Sequence, residues 1–313
     1  MRYGEGDRES DNIEDRRSSD DTLPGGGFPG GGMLPMAGGG LGLGSMILIG
    51  VVCLMLGVNP LTFLMNNNIQ LPNMPRPERQ GGATDVPGLP GQPSVGQNQD
   101  EETTFVRRVL ADTEDVWTQV FKTAGLQYRK PTLVLFNGAT QTACGMGQTA
   151  MGPFYCPADE KVYIDLAFYD ELKRRFHAPG DFAQAYVIAH EIGHHVQKLL
   201  GIADRLQAMK DNASSEVEAN QLQVRMELQA DCFAGVWASL NNQMHNRLQP
   251  GDIENGLNAA AAVGDDRLQQ QAQGYIVPDT FTHGTSAQRM RWFKQGYDTG
   301  QAQACDTFGT SNL

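Results

Sequence analysis

The chain has 313 residues, a formal net charge of −12, 37 glycines, 16 prolines and five cysteines. That length fits one or two domains. The surplus of acid over base excludes a non-specific phosphate-binding surface, so no nucleic-acid partner is expected. Five cysteines in a chain this long exclude a small disulfide scaffold.

Residues 1–40 read as a disordered tail. The first 21 are almost all polar, with Arg2, Arg8, Arg16 and Arg17 set among eight acids, and residues 22–40 are rich in Gly and Pro. So little apolar surface does not offset the entropy of ordering. From Thr22 to Pro75 there is no charged residue. Within that stretch, residues 41–65 supply about the ~20 apolar positions a helix needs to cross a bilayer. A cleaved signal peptide starts nearer Met1 and ends in an A-x-A site, which is lacking here. A buried core helix ended by Asn59-Pro60 is the competing reading, and a single transmembrane anchor is favoured. Residues 66–100, rich in Asn, Pro, Gly and Gln, read as a linker. Residues 101–313 carry the pattern of a globular domain.

The domain pattern begins with helical periodicity over 104–121, through Phe105, Val109, Val116 and Val120. Residues 131–136 and 161–166 read as short strands, with a Gly-rich loop between them. The segment 145–150 lacks the Gly-Lys-Ser/Thr of a phosphate loop. Helical signals follow at 181–200, 214–244, 251–272 and 285–297, which predicts a mostly helical α+β domain with a small sheet. Cys144, Cys156, Cys232 and Cys305 all fall in this domain. An oxidising compartment would allow two disulfides, Cys144 with Cys156 as the natural first pair, leaving Cys232 with Cys305. Four buried thiols are the alternative. The four upstream arginines lie more than about 20 residues from the apolar segment, while Arg76 and Arg79 follow it closely, so charge orients it only weakly and the cysteines favour tail inside and domain outside.

The chemistry concentrates in His190-Glu191-Ile192-Gly193-His194. Asp181, with Gln184 three residues on, reads as a capping box, and Phe182, Ala185, Tyr186, Ala189, Ile192, Val196 and Leu199 form an apolar stripe. His190 and His194 are therefore one turn apart on one helix face, a spacing at which two imidazoles share one Zn²⁺. Glu191, one step round the helix, is placed as a general base. A catalytic zinc site needs a third protein ligand, and Glu227 in Met226-Glu-Leu-Gln-Ala-Asp-Cys-Phe233 is the candidate. Asp231, four residues on, would accept the other N–H of a ligand histidine. His195 points away from the pair, and His177 and His245 read as loop and helix-surface residues.

With these residues in view the chain resembles the zincins whose third ligand is a Glu in an E-x-x-x-D helix, and more closely the bacterial membrane-anchored neutral zinc metallopeptidase family. The likeness covers Arg8–Arg17, the apolar segment, Cys144-Gly145, Phe154-Tyr-Cys-Pro157 and His190–Gln197. It implies a zincin-like fold, one Zn²⁺ per chain and a bacterial membrane anchor. With the orientation the cysteines favour, the expected location is the inner membrane, N-terminus cytoplasmic and domain extracytoplasmic. Thr282-His-Gly-Thr-Ser-Ala-Gln-Arg289 is similar to the H-P-x-x-x-x-R segment of integral-membrane zinc peptidases, with Gly284 in place of Pro. By that likeness His283 would hydrogen-bond an oxyanion, and Arg289 would hold a substrate carbonyl or a structural carboxylate. A loop or capping role is the alternative for His283.

The functional expectation is a membrane-anchored zinc metallopeptidase that hydrolyses peptide bonds in a peptide or protein substrate. Glu191 would be its base, and a lipid bilayer would be a partner through the anchor. An edge strand at 138–144 or 152–156 would pair with the substrate backbone. The alternative is a non-catalytic, membrane-tethered zincin-fold binding or scaffold protein.

Overall fold

The computed structural model describes residues 1–17, 95–174, 178 and 180–313. The expected anchor at 41–65, most of the linker and His177 lie outside the described residues. Among the described residues no helix is long and apolar enough to cross a membrane.

The described chain is mostly helical α+β. A four-stranded sheet has the order β1-β2-β6-β5, from β1 (Ile13–Asp15), β2 (Thr132–Phe136), β5 (Phe154–Cys156) and β6 (Lys161–Asp165). β1 and β6 both run parallel to β2, whereas β5 is antiparallel to β6. A separate hairpin, β3 (Ala139–Thr142) with β4 (Gly145–Gln148), fills the Gly-rich region. The helices are α1 (Val95–Thr123), α2 (Ala167–Arg174), α3 (Asp181–Leu199), α4 (Ile202–Asp211), α5 (Glu216–His245), α6 (Asp252–Ala262), α7 (Asp265–Gln273) and α8 (Ser286–Thr299).

The β-branched and aliphatic runs at 132–136 and 161–165 make the two central strands, nearly all of whose residues are buried. Trp117 of α1, Phe182 and Tyr186 of α3, Trp237 of α5 and Phe293 of α8 are the large side chains of the helical core. Two glycines set the tightest crossing. A Cβ at Gly235 would lie 2.0 Å from the Phe293 carbonyl oxygen, and one at Gly296 would lie 1.9 Å from that of Cys232. No larger residue leaves α5 and α8 this close, and the contact brings Arg289 of α8 onto α5. Disulfides join Cys144 to Cys156 and Cys232 to Cys305, the pairing read from the sequence.

Several boundaries depart from expectation. The single helix at 251–272 is two, α6 and α7, broken at Gly264, where a Cβ would lie 2.4 Å from the Ser286 backbone nitrogen. The N-cap of α3 is Gly180, which has no side chain to cap with, so the Asp181–Gln184 capping box is not made. Thr285 and Gln288 do make one at the start of α8. Residues 95–100, assigned to the linker, belong to α1. Their polar side chains are no obstacle to helix once the buried turns that follow anchor it.

The largest correction is the tail. Residues 1–17 are ordered on the domain and form one compact unit with it. Ile13–Asp15 pair with Leu133–Leu135. Glu114 of α1, with no exposed surface, accepts hydrogen bonds from Ser10 Oγ at 2.5 Å, Asn12 Nδ2 at 2.7 Å, Arg8 Nη1 at 2.9 Å and Lys130 Nζ at 3.1 Å. Tyr3 donates to Asp112, and Arg247 bridges Asp112 and Asp7. The tail needs no core of its own, because it completes a sheet edge and satisfies a buried carboxylate supplied by the domain.

Candidate metal centre

Two crossing helices build the centre. His190 and His194 project from one face of α3, their ring centroids 4.8 Å apart. At Gly193 the backbone of α5 comes so near that a Cβ would lie 3.0 Å from the Ala230 carbonyl oxygen. That approach carries Glu227 to the imidazole pair. Its Oε2 is 3.3 Å from His190 Nε2 and 3.4 Å from His194 Nε2. One ligand atom from each of the three side chains lies within 4.8 Å of the others, a group that could hold a metal ion.

The far side of each ligand is already held. His190 Nδ1 donates to Asp231 Oδ1 at 2.9 Å. His194 Nδ1 donates to Gln197 Oε1 at 2.9 Å, and Gln197 in turn donates to the Met226 carbonyl at 2.8 Å and to Gln229 Oε1 at 3.1 Å. Gln223 Nε2 donates to Glu227 Oε1 at 2.8 Å and itself accepts from Lys210 Nζ at 3.0 Å. These tautomers and amide orientations follow from the partners. They leave His190 Nε2, His194 Nε2 and Glu227 Oε2 facing one another with no partner from outside the group, as in metal sites with oriented ligands.

Asp231 is fully buried and accepts from Tyr186 Oη at 2.5 Å, from Arg289 Nε at 2.8 Å and from Arg289 Nη2 at 2.9 Å besides His190. Burial alone would raise its carboxyl, but Arg289 and His190 hold it down at about 2. Of the two roles considered for Arg289, the geometry gives it the structural carboxylate. The guanidinium is 4% exposed and also donates to the Val263 carbonyl.

The charges also suit a cation. Burial would lower both imidazoles, yet Asp231 and Glu227 push His190 up to about 10, and Glu227 raises His194. Burial would raise Glu227, yet the two histidines hold it well below the usual carboxylate range. A pocket that favours extra protons on two facing imidazoles favours a divalent ion in their place. The His₂Glu donor set is that of catalytic zinc sites.

The centre opens into a cleft of about 700 Å³ whose lining includes Glu191, β5 residues Phe154 and Tyr155, Val187, Leu268 and His283. Glu191 is 7% exposed, and burial pushes its carboxyl up from the usual range, the direction a general base requires. His283 is half-exposed, its Nδ1 3.3 Å from Asp265 Oδ1, and Asp265 also accepts from the backbone nitrogens of Thr282, His283 and Gly284. So His283 does reach the cleft, with a carboxylate holding its loop. Among the expected edge strands, β5 borders the cleft. The 139–142 segment lies in the separate hairpin.

Sequence reasoning missed Gln197, Gln223, Tyr186 and Asp265 as supports. Gln197 had a signal, since it follows His194 by three on the same helix face. Tyr186, four before His190, had the same one. Gln223, four before Glu227 in α5, had it too. Asp265 had none, because its partners Thr282, His283 and Gly284 come from a tertiary contact.

No solved structure matches the chain. It is 51% identical over 313 residues to the uncharacterized protein YpfJ of Escherichia coli, covering 99% of this chain and 100% of that one. It is also 42% identical over 219 residues to the uncharacterized protein Rv2575 of Mycobacterium tuberculosis, covering 67% of this chain and 73% of that one. A family model described as "Putative neutral zinc metallopeptidase" matches residues 1–308, so docked tail, metal pocket and C-terminal helix fall within one continuous match, and the chain belongs to that family.

Proposed function

We propose that the protein is a zinc-dependent peptidase with a zincin-like domain. The observation that carries this reading is the convergence of His190 Nε2, His194 Nε2 and Glu227 Oε2 at the floor of an open cleft. Every other polar atom of those side chains is already engaged, and a buried glutamate stands beside them. A zinc ion held by these three would lower the pKa of a water toward ~7 and polarise a peptide carbonyl. Glu191 would take a proton from an attacking water and return one to the leaving amine. His283 donates a hydrogen bond to the oxygen on which charge develops, a contribution typically worth about 2.7–4 kcal/mol. Asp231 and Gln197 keep both imidazoles in the ligating tautomer, and Arg289 keeps Asp231 ionised.

A non-catalytic scaffold has no use for a glutamate at position 191, and the open cleft favours internal cleavage of a chain over removal of a terminal residue. The test compares wild type with Glu191→Gln and His190→Ala for metal content and for cleavage of casein. Wild type should hold one zinc and cleave. Glu191→Gln should keep zinc and lose cleavage, and His190→Ala should lose both. Cleavage at the wild-type rate by Glu191→Gln, or none by zinc-loaded wild type on any peptide in a broad library, refutes the reading.

We also infer an extracytoplasmic location for the described unit, tail included. Two disulfides support an oxidising compartment. The uncharged stretch 22–75 is the part of the chain suited to contact with a lipid bilayer.

A further inference from the structure

β5 is three residues long and sits at the edge of the sheet, where a strand is held by neighbours on one side alone. Both of its faces are nevertheless fastened. On one face, Phe154 stacks on Tyr163 with centroids 5.0 Å apart, and Cys156 is bonded to Cys144 of the hairpin loop. On the other face, the Tyr155 hydroxyl meets His195 Nδ1 at 3.0 Å, and His195 Nε2 meets the Arg129 carbonyl at 2.6 Å. A carbonyl only accepts, so Nε2 carries the proton and bare Nδ1 accepts from Tyr155. The imidazole is fully buried, and the rings of Tyr128 and Tyr155 pack edge-on to it at 5.7 and 5.5 Å.

His195 follows His194 directly in α3. One helical turn thus presents a candidate metal ligand to the cleft and grips the cleft's bordering strand. From this juxtaposition we propose that Tyr155 and His195 are positioning residues that fix the edge of β5 relative to the metal pocket, so that an extended peptide adding to that edge lies with its carbonyl over the centre. The proposal rests on the peptidase reading and narrows its substrate to peptides long enough to pair with β5. Added-strand binding draws its affinity from main-chain hydrogen bonds, so it depends on where the edge lies and not on the side chains of the ligand. Reactivity depends on the same placement, since a misplacement of about 1 Å costs about 10²-fold.

The experiment uses the full chain loaded with zinc and the variant Tyr155→Phe, which removes one hydroxyl and keeps the ring. The probes are oxidised insulin B chain, which is long enough to span β5, and a blocked dipeptide, which is not. For the B chain, kcat/KM should fall roughly five- to tenfold in the variant, chiefly through KM, the loss expected from one buried hydrogen bond. For the dipeptide, which does not reach β5, the fall should stay below roughly twofold, and zinc content should not change. Hydrogen exchange supplies a readout independent of turnover. The B chain should protect the amides of β5 in wild type, and the variant should need roughly five- to tenfold more of it for equal protection. An equal fall for both substrates, or equal protection in both proteins, or none in wild type, overturns the proposal. Protection at β5 without cleavage of either probe supports the proposal while counting against the peptidase reading. His195→Ala serves as a second variant, and if it folds it should reproduce Tyr155→Phe without loss of zinc.

Discussion

Arg289→Ala separates a structural role from a substrate-binding one. In wild type the guanidinium reaches both oxygens of Asp231 and donates to Tyr186 Oη at 3.1 Å. Its removal leaves a fully buried carboxylate with donors from His190 and Tyr186 only. Breaking a buried ion pair by deleting one partner costs about 3–5 kcal/mol. For a unit of this size that lowers Tm by roughly 6 to 20 °C. Because Asp231 orients His190, zinc affinity should fall about 10–100-fold as well. Thermal melts and a chelator-competition titration read the two effects. The double variant Asp231→Leu with Arg289→Met should regain most of the stability, since an apolar pair of similar volume often replaces a buried ion pair without loss. It should not regain zinc affinity, because His190 then has no acceptor. If Arg289→Ala keeps both Tm and zinc affinity and raises only KM, Arg289 serves the substrate and the reasoning about Asp231 is wrong.

Two further predictions concern protons and topology. In the metal-free protein His190 is raised to about 10, so its contribution to stability is complete below its ordinary value near 6.5 and is lost as pH climbs toward 10. Chelator-treated protein should melt at progressively lower temperature across that window and zinc-loaded protein should not, and coincident curves would refute the linkage. Glu5→Cys and Lys122→Cys, both at exposed positions, placed singly in a Cys53→Ser background, should react equally with a membrane-impermeant maleimide in intact spheroplasts. Reaction at one site alone would refute the shared side.

The parts of the site that were legible are those encoded within a single helix. His190 and His194, or Glu227 and Asp231, are four apart, and helical geometry alone puts each pair on one face. That the two faces meet is a tertiary fact, decided at Gly193 against Ala230, and a glycine inside a helix does not announce what it lies against. Gln197 and Gln223 had the right spacing to a ligand, yet spacing alone did not single them out. Glutamine is ordinary on solvated helix faces, and it is the second helix, through the Met226 carbonyl and Gln229, that fixes Gln197 on His194. The break at Gly264 was hidden by apolar spacing that runs through it, although the approach of Ser286 forbids any larger residue there.

The tail shows where a rule from composition fails. Low hydrophobicity predicts disorder when a segment must bury its own surface, but residues 1–17 borrow a surface instead. Glu114 has no exposed area, and three of its four hydrogen bonds come from Arg8, Ser10 and Asn12. Without the tail, Lys130 alone would face a carboxylate buried in α1. Each lost bond to that charge is worth about 1.5–3 kcal/mol, so undocking is opposed by several kcal/mol even before the β1–β2 pairing is counted.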